Sequence, residues 1–271
     1  MVLYASDLDR TLIFSGKFLK EFTTDAEIEP VETKIDNETK KEREISYMST
    51  EVKKRLQEIS NNKSIEFVPV TTRSLGEYNR INLGFTPEYA ITSNGGKILY
   101  NGEPLAEWDE YIQKNINMME AMNIIVDIED ELTSVSYNPK VVDNCYIFFK
   151  IDAGCETLYD QEALYLMARY PGWEFTRQRN KGYAIPKAFS KQIALRWLWR
   201  KLDKPYIIAS GDSELDLPML TLANRAVIPT HGTLVKEKFI ESGTFADGGI
   251  TSPLVTMDFV EKEAEQQYIE E

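Results

Sequence analysis

The sequence predicts an α/β protein: a doubly wound parallel sheet carrying a second, inserted α+β domain. Three observations predict it. Short apolar runs alternate with helix-patterned segments on both sides of a block, 103–185, whose texture differs. Three of those runs lead into Asp7, Thr71 and Asp212, which places polar groups where a parallel sheet opens onto its ligand crevice. A chain of 271 residues, 42% of them hydrophobic, can bury a core of this size. The expected boundaries are a core domain of 1–102 and 186–271, with a polar insert at about 15–46, and an inserted second domain over 103–185.

Taken in order, Val2–Ser6 is an apolar run ending in acids, which reads as a buried first strand presenting Asp7 at its carboxyl end. Residues 15–46 are polar, most of all Lys34-Ile35-Asp36-Asn37-Glu38-Thr39-Lys40-Lys41, and predict a long loop or small hairpin. Val52, Leu56 and Ile59 recur at helical spacing after a capping Ser49 or Thr50, which predicts a helix over 51–59. Ile65–Val70 is a second buried strand running into Thr71-Thr72-Arg73-Ser74, with a helix to about Leu83 behind it. Tyr89–Thr92 is a third strand, ending in Ser93-Asn94-Gly95-Gly96, where Asn-Gly marks a tight turn. The inserted block predicts helices over 108–122 and 156–170 and strands over 145–151, 173–176 and 182–185. After Pro186, Ser190 caps a helix through Trp199, and a strand over 206–210 enters Gly211-Asp212. A helix over about 214–223, a short strand at 226–228 and a frayed acidic helix from Phe259 complete the chain.

Scarce residues exclude more than abundant ones. One histidine, His231, cannot make an HExxH zinc site, and two cysteines ten residues apart, Cys145 and Cys155, cannot make a four-ligand zinc cluster. A Ser-His or Cys-His nucleophile would depend on His231, which has no nucleophile motif near it. The cysteines are expected as reduced thiols. A net charge of −13 repels phosphate backbones, so no nucleic-acid partner is expected; Lys40-Lys41 and Lys53-Lys54-Arg55 sit among acids and read as solvated surface. No apolar run approaches the ~18–20 residues that cross a bilayer. The opening Met1-Val2-Leu3-Tyr4-Ala5-Ser6-Asp7 lacks a basic signal-peptide region, so a cytoplasmic location without a membrane partner is expected. A catalyst of this composition works with carboxylates, hydroxyls, lysines and a metal.

Asp7 and Asp9 stand at i and i+2, so they point the same way if strand geometry persists and can share a divalent cation. A polar strand end with Thr11 capping a turn explains the pair equally. Asp212 sits on a predicted strand–helix turn with Asp216 one helical turn later, although acids are favoured in a first helical turn regardless. Thr71 offers a hydroxyl and a backbone N–H at a helix start, a natural phosphate seat. Lys191 follows the capping Ser190. Each is weak alone; the order of all of them, each at a predicted strand end or helix start, is specific.

In that order the residues resemble the motifs of haloacid dehalogenase (HAD) superfamily phosphatases, of the type with a large cap inserted between the second and third motifs. That type contains the Cof-like and sucrose-phosphate phosphatases. Asp7-x-Asp9-x-Thr11 is similar to the first motif, implying Asp7 as nucleophile, Asp9 as acid/base and Thr11 beside the phosphate. Thr71 and Lys191 resemble the phosphate-binding residues of the second and third motifs. Gly211-Asp212-Ser213-x-x-Asp216 resembles the fourth and implies a Mg²⁺ site of Asp7, the main-chain carbonyl of Asp9, Asp212 and Asp216. Ser93-Asn94-Gly95-Gly96 is similar to the turn that the family places beside the phosphate, implying Asn94 and Gly95 as substrate contacts. Arg10 stands where the family usually has Gly, Thr72 where it has Gly between Thr and Arg, and the polar insert is long. These departures remove no reacting group and bear on substrate choice, through the entrance at Arg10 and the insert as a flap.

The resemblance implies Mg²⁺-dependent hydrolysis of a small phosphorylated metabolite, a sugar phosphate first among them, through an aspartyl-phosphate. The inserted domain is expected to close over the site and read the leaving group through Arg177, Arg179 or Lys181, for each of which ordinary surface charge is the plainer reading. Trp173 and the tyrosines read as cap core, His231 as a loop or helix-start residue, and Arg73 as a structural ion-pair partner. A phosphomutase of the same superfamily and a non-catalytic binding module on the same fold are the rival readings. A monomer or weak homo-oligomer is expected.

Overall fold

A computed structural model describes residues 1–22, 24–36, 38–136, 139–203, 205–236 and 243–270. The chain divides into two compact units, Met1–Pro104 with Lys191–Glu271, and Leu105–Ser190. The first unit opens with β1 (Val2–Ser6), β2 (Phe14–Ser15), α1 (Gly16–Glu21), β3 (Ile28–Ile35), β4 (Glu42–Ser49), α2 (Thr50–Ser60), β5 (Ile65–Pro69), α3 (Leu75–Tyr78), β6 (Tyr89–Thr92), β7 (Lys97–Tyr100) and β8 (Glu103–Pro104). The second unit holds α4 (Ala106–Asn115), α5 (Met118–Glu131), β9 (Lys140–Val142), β10 (Tyr146–Lys150), α6 (Glu156–Arg169), β11 (Trp173–Gln178) and β12 (Lys181–Pro186). The first unit resumes with α7 (Lys191–Lys201), β13 (Tyr206–Ser210), α8 (Leu217–Leu222), β14 (Arg225–Pro229), β15 (Gly243–Ala246) and α9 (Ser252–Glu270).

The first unit is built on a parallel sheet ordered β15-β14-β13-β1-β5. Its strands are continuous apolar runs because both faces are covered, and every residue of β1 is buried. The chain leaves β1 for β5 on one side and returns to β13 on the other, so the strand order reverses at β1. Ligands bind at such a switch point, off the carboxyl ends of the strands. Val52, Leu56 and Ile59 of α2 share one core with Val2, Tyr4 and Phe67 of the sheet and Met257, Val260 and Ala264 of α9. Each fully buried side chain such as Leu56 contributes roughly 1.5–3 kcal/mol relative to exposure.

The second unit is an antiparallel sheet ordered β11-β12-β10-β9. Ile124 and Ile128 of α5 and Tyr159, Ala163 and Leu166 of α6 pack with Ile147, Phe149 and Phe175 of the strands. This is an α+β arrangement in which the helices meet an apolar sheet face.

Several elements differ from expectation for identifiable reasons. The helix expected behind Thr71-Thr72-Arg73-Ser74, reaching to about Leu83, is only α3. A Ser74–Glu77 capping box starts it, but Ile81 leaves to bridge Glu32 and Asn82 donates to the Val31 carbonyl at 2.7 Å. The helix expected over 108–122 is two helices, because Ile116 is extended and the Asn117 side chain caps α5, accepting from Met119 and Glu120 N–H. The helix expected from Glu214 begins at Leu217, since the Asp216 carboxylate is spent on the preceding turn and Pro218 suits a first turn. The terminal helix starts at Ser252 rather than Phe259 and is docked: its apolar side is core, and Arg55 pairs with Asp258 and Glu261. Strand β6 heads a small antiparallel sheet, β6-β7-β8, and meets the parallel layer at a Val70–Ile91 bridge. The polar insert is a hairpin, β3–β4, extended by β2; Asn37 in its hydrophilic stretch lies outside the described residues.

Candidate active site

The site is assembled by strand register. β1 and β13 pair Ser6 with Ser210, the two hydroxyls lie 2.8 Å apart, and Asp7 N–H donates to the Ser210 carbonyl at 2.9 Å. The next residues of each strand, Asp7 and Gly211-Asp212, therefore leave the sheet side by side. Asp216 is drawn back toward them by its own loop, not by helical periodicity. Its Oδ2 accepts from Asp212 N–H, Ser213 N–H and Ser213 Oγ at 3.2, 3.0 and 2.9 Å. Gly211 is required at this turn, because a Cβ there would lie 2.5 Å from Asp216 Cβ. Lys191, the first residue of α7, is buried between the strands' acids and donates from Nζ to Asp7 Oδ1 and Asp216 Oδ1, each at 2.6 Å. Thr11 Oγ1 donates to Asp7 Oδ2 at 3.3 Å.

Asp7, Asp212 and Asp216 are all buried and bring one ligand oxygen each within 4.8 Å of one another. Burial, then Asp216, raise the Asp7 carboxyl well above the usual carboxylate range, and Lys191 only partly offsets this. Burial, then Asp216, push Asp212 up to about 7, against the pull of Arg10. Burial opposes the charge on Lys191, but Asp216 and Asp7 outweigh it and hold the ammonium protonated above its ordinary value. When ionised, the three buried carboxylates outnumber the two cations that touch them, Lys191 and Arg10. An all-oxygen donor set with that deficit fits a hard divalent cation such as Mg²⁺.

Asp9 takes a different course from Asp7. The strand ends at Ser6, and Thr11, Leu12 and Ile13 N–H groups all donate to the Leu8 carbonyl, so the extended geometry that would align Asp7 and Asp9 is lost. The Asp9 carboxylate accepts from Arg73 Nε and Nη2 at 2.7 and 2.8 Å and stays outside the buried trio. Arg73 also donates to Glu32 at 2.7 Å, and Arg80 donates to the same buried carboxylate. Glu32 belongs to β3 of the polar insert, so the insert reaches the Asp9 side chain through Arg73.

Thr71 is buried at the end of β5 but is not at a helix start. Its N–H donates to the Ile91 carbonyl at 2.8 Å, and its hydroxyl accepts from Arg73 N–H at 3.1 Å. The expected phosphate seat at its backbone N–H is therefore withdrawn; only the hydroxyl is left for that role. The Thr71 carbonyl accepts from Asn94 N–H at 3.0 Å, which brings the Ser93–Gly95 turn against it. Asn94 is itself left-handed (φ 56°), Gly95 follows at φ 97°, and the buried Asn94 Oδ1 has no hydrogen-bond donor among the described residues. In the second unit, Arg177 is engaged by Asp160 at 2.6 and 2.7 Å, and Arg179 occupies the β11–β12 turn at φ 56°.

Sequence reasoning missed the Glu32–Arg73–Asp9 chain and the partner of Arg10. Arg10 adopts φ 64° and donates to Asp212 Oδ2 at 2.9 Å and the His231 carbonyl at 3.1 Å. Its departure from Gly was the only signal. His231 precedes a short 3-10 turn (Thr233–Lys236). Its Nδ1 accepts from Gly249 N–H, so Nε2 carries the proton and donates to the Arg10 carbonyl at 2.6 Å. Among the described residues no helix is long and apolar enough to cross a membrane.

Comparison with known proteins bears on the family and the fold. The sucrose-6F-phosphate phosphohydrolase family profile matches residues 1–233. A sucrose-phosphatase from a Synechocystis species, solved with sucrose and phosphate, superposes with a TM-score of 0.66 at 14% identity, covering 96% of this chain and 98% of that one. A haloacid dehalogenase-like hydrolase from Bacillus subtilis gives 0.62 at 16% identity, covering 96% and 99%. A HAD-superfamily phosphatase from Bacteroides thetaiotaomicron gives 0.57 at 18%, covering 96% and 95%. No curated protein sequence matches the chain significantly. At these identities the structures speak to the fold, a HAD core with a cap domain, and the profile speaks to the family. The chain belongs to the sucrose-6F-phosphate phosphohydrolase family of HAD phosphatases and is a phosphoric monoester hydrolase.

Proposed function

We propose that the chain hydrolyses the phosphomonoester of a small sugar in a Mg²⁺-dependent reaction through an aspartyl-phosphate on Asp7. The observation that carries this reading is the buried Asp7–Asp212–Asp216 trio threaded by Lys191. Asp7 is the nucleophile: its Oδ2 is held by Thr11 and its Oδ1 by Lys191. The Lys191 ammonium offsets the repulsion between an anionic nucleophile and an anionic substrate, and Lys191 with the Thr71 hydroxyl holds the transferring phosphoryl group. Asp7, the Asp9 main-chain carbonyl, Asp212 and Asp216 would hold the Mg²⁺. Held there, Mg²⁺ would supply neutralisation of charge on the phosphoryl oxygens. Asp9, freed from Arg73 and protonated from solvent, gives that proton to the departing alcohol, then regains one from the water that hydrolyses the acyl phosphate. The Asn94 Oδ1, buried with no donor among the described residues, and the neighbouring Gly95 are the substrate contacts on the core unit.

The family match supports a sugar phosphate as the substrate class, so sucrose 6F-phosphate heads the substrate panel. The test is free-phosphate release from a panel of phosphorylated sugars, nucleotides and cofactors, with MgCl₂ or EDTA, for wild type and Asp7→Asn. Release from a sugar phosphate that needs both Mg²⁺ and Asp7 supports the reading. Release indifferent to either refutes it, and a requirement for a bisphosphate activator with no net release indicates a mutase.

A further inference from the structure

We infer that Arg10 is a resident cation on the Asp212 carboxylate and weakens the grip of the acidic site on its divalent ion. The inference rests on the reading of Asp212 as a ligand of that ion. Four observations carry it. Arg10 holds φ 64°, a conformation that costs a residue with a Cβ about 1–2 kcal/mol. The strained backbone is fixed from both sides: Arg10 N–H donates to the Ile13 carbonyl at 2.8 Å, and its carbonyl accepts from His231 Nε2 at 2.6 Å. His231 is itself fixed by Gly249 N–H and by the rings of Phe14, Phe18 and Phe22, whose centroids lie 5.9, 4.8 and 5.6 Å from its own. The guanidinium lies over Phe18 at 5.1 Å and reaches both the His231 carbonyl and Asp212 Oδ2.

A strained residue this firmly held implies a use for its side chain. The side chain ends on one oxygen of one of the three buried carboxylates that a divalent ion needs. A charge-assisted hydrogen bond to a carboxylate with little exposure is among the strong ones, so a cation entering the trio competes with it for Asp212 and meets a fixed positive charge beside it. A glycine at position 10 would leave Asp212 with no such partner. Arg10 is thus a positioning residue acting through Asp212. It stabilises the acidic pocket when no metal is present and sets the metal affinity lower than three carboxylates and one lysine would otherwise give.

The test is calorimetric titration of MgCl₂ into wild type, Arg10→Gly and Arg10→Asn, with melting temperatures in EDTA and in Mg²⁺. Glycine and asparagine both tolerate the left-handed backbone, so agreement between them isolates the charge. Both variants are expected to bind Mg²⁺ about tenfold more tightly, equivalent to about 1.4 kcal/mol. Both should also show a larger Mg²⁺-induced rise in melting temperature than wild type. Damage to the pocket would weaken binding, so tightening is a result that a purely structural role does not produce. Unchanged or weaker Mg²⁺ binding by folded Arg10→Asn overturns the inference. Asp212→Asn serves as the separate control: Mg²⁺ binding as tight as wild type in that variant means that the metal reading of Asp212 has failed, and this inference with it.

Discussion

Replacing Lys191 by methionine probes the charge balance of the site most sharply. Methionine keeps most of the aliphatic volume, so the cavity contribution is small and the lost ammonium dominates. Lys191 makes two hydrogen bonds of 2.6 Å to buried carboxylates. Each charge-assisted bond contributes about 1.5–3 kcal/mol, and breaking a buried pair from one side costs about 3–5 kcal/mol. The expected loss of unfolding free energy in EDTA is therefore about 3–5 kcal/mol near pH 8. The loss depends on pH with a definite sign. Asp7 already titrates well above its unfolded value, and without Lys191 it moves further up. Protonation relieves the unpaired charge, so the loss shrinks as the pH falls toward about 5. Urea unfolding at both pH values measures it. A loss below about 1 kcal/mol near pH 8, the scale of an exposed pair, or one indifferent to pH, refutes the reasoning.

The metal-free wild type should itself lose stability as pH rises from about 4 to about 7, because Asp212 titrates near 7 in the fold and near 4 when unfolded. Saturating MgCl₂ should flatten that slope, and urea melts along a pH series with EDTA or MgCl₂ check both statements. Gly211→Ala drives a methyl into Asp216 and should cost about 1–3 kcal/mol while weakening Mg²⁺ binding, read by thermal melts and calorimetry. His231, the one histidine, should appear in ¹⁵N spectra as the Nε2–H tautomer with a pKa below its ordinary 6.5, since burial disfavours its charged form. An Nδ1–H tautomer would contradict the assigned contacts with Arg10 and Gly249. Glu32→Gln should lower kcat more than it raises KM, because it loosens Arg73 and through it Asp9; a change confined to stability would contradict this.

The parts of the fold legible in the sequence were those governed by local pattern. The buried runs Val2–Ser6 and Tyr206–Ser210 needed only apolarity and an acidic end, and β1–β13 register then placed Asp7 beside Asp212. Helix α2 needed only Val52, Leu56 and Ile59 at helical spacing. What periodicity alone could not give were the contacts made across the chain. Asp216 reached the site through hydrogen bonds within its turn, and Asp9 left the line of Asp7 because Leu8 closes a turn rather than extending the strand. Thr71 lost its backbone N–H to Ile91, a partner on another strand. Glu32 read as one acid in a polar stretch, and only the folded hairpin shows it buried beneath two arginines. The terminal helix looked frayed because its acids were visible in sequence and its Arg55 partner was remote.

The central claim is that Asp7 carries the phosphoryl group between substrate and water. Rapid acid quench of the Mg²⁺-loaded enzyme during turnover of its best sugar phosphate, followed by peptide mass analysis, tests it directly. The account predicts a transient mass gain of one phosphoryl group on the peptide containing Asp7, absent in Asp7→Asn. Turnover with that peptide unmodified at every quench time, or with Asp7→Asn still releasing phosphate, contradicts it.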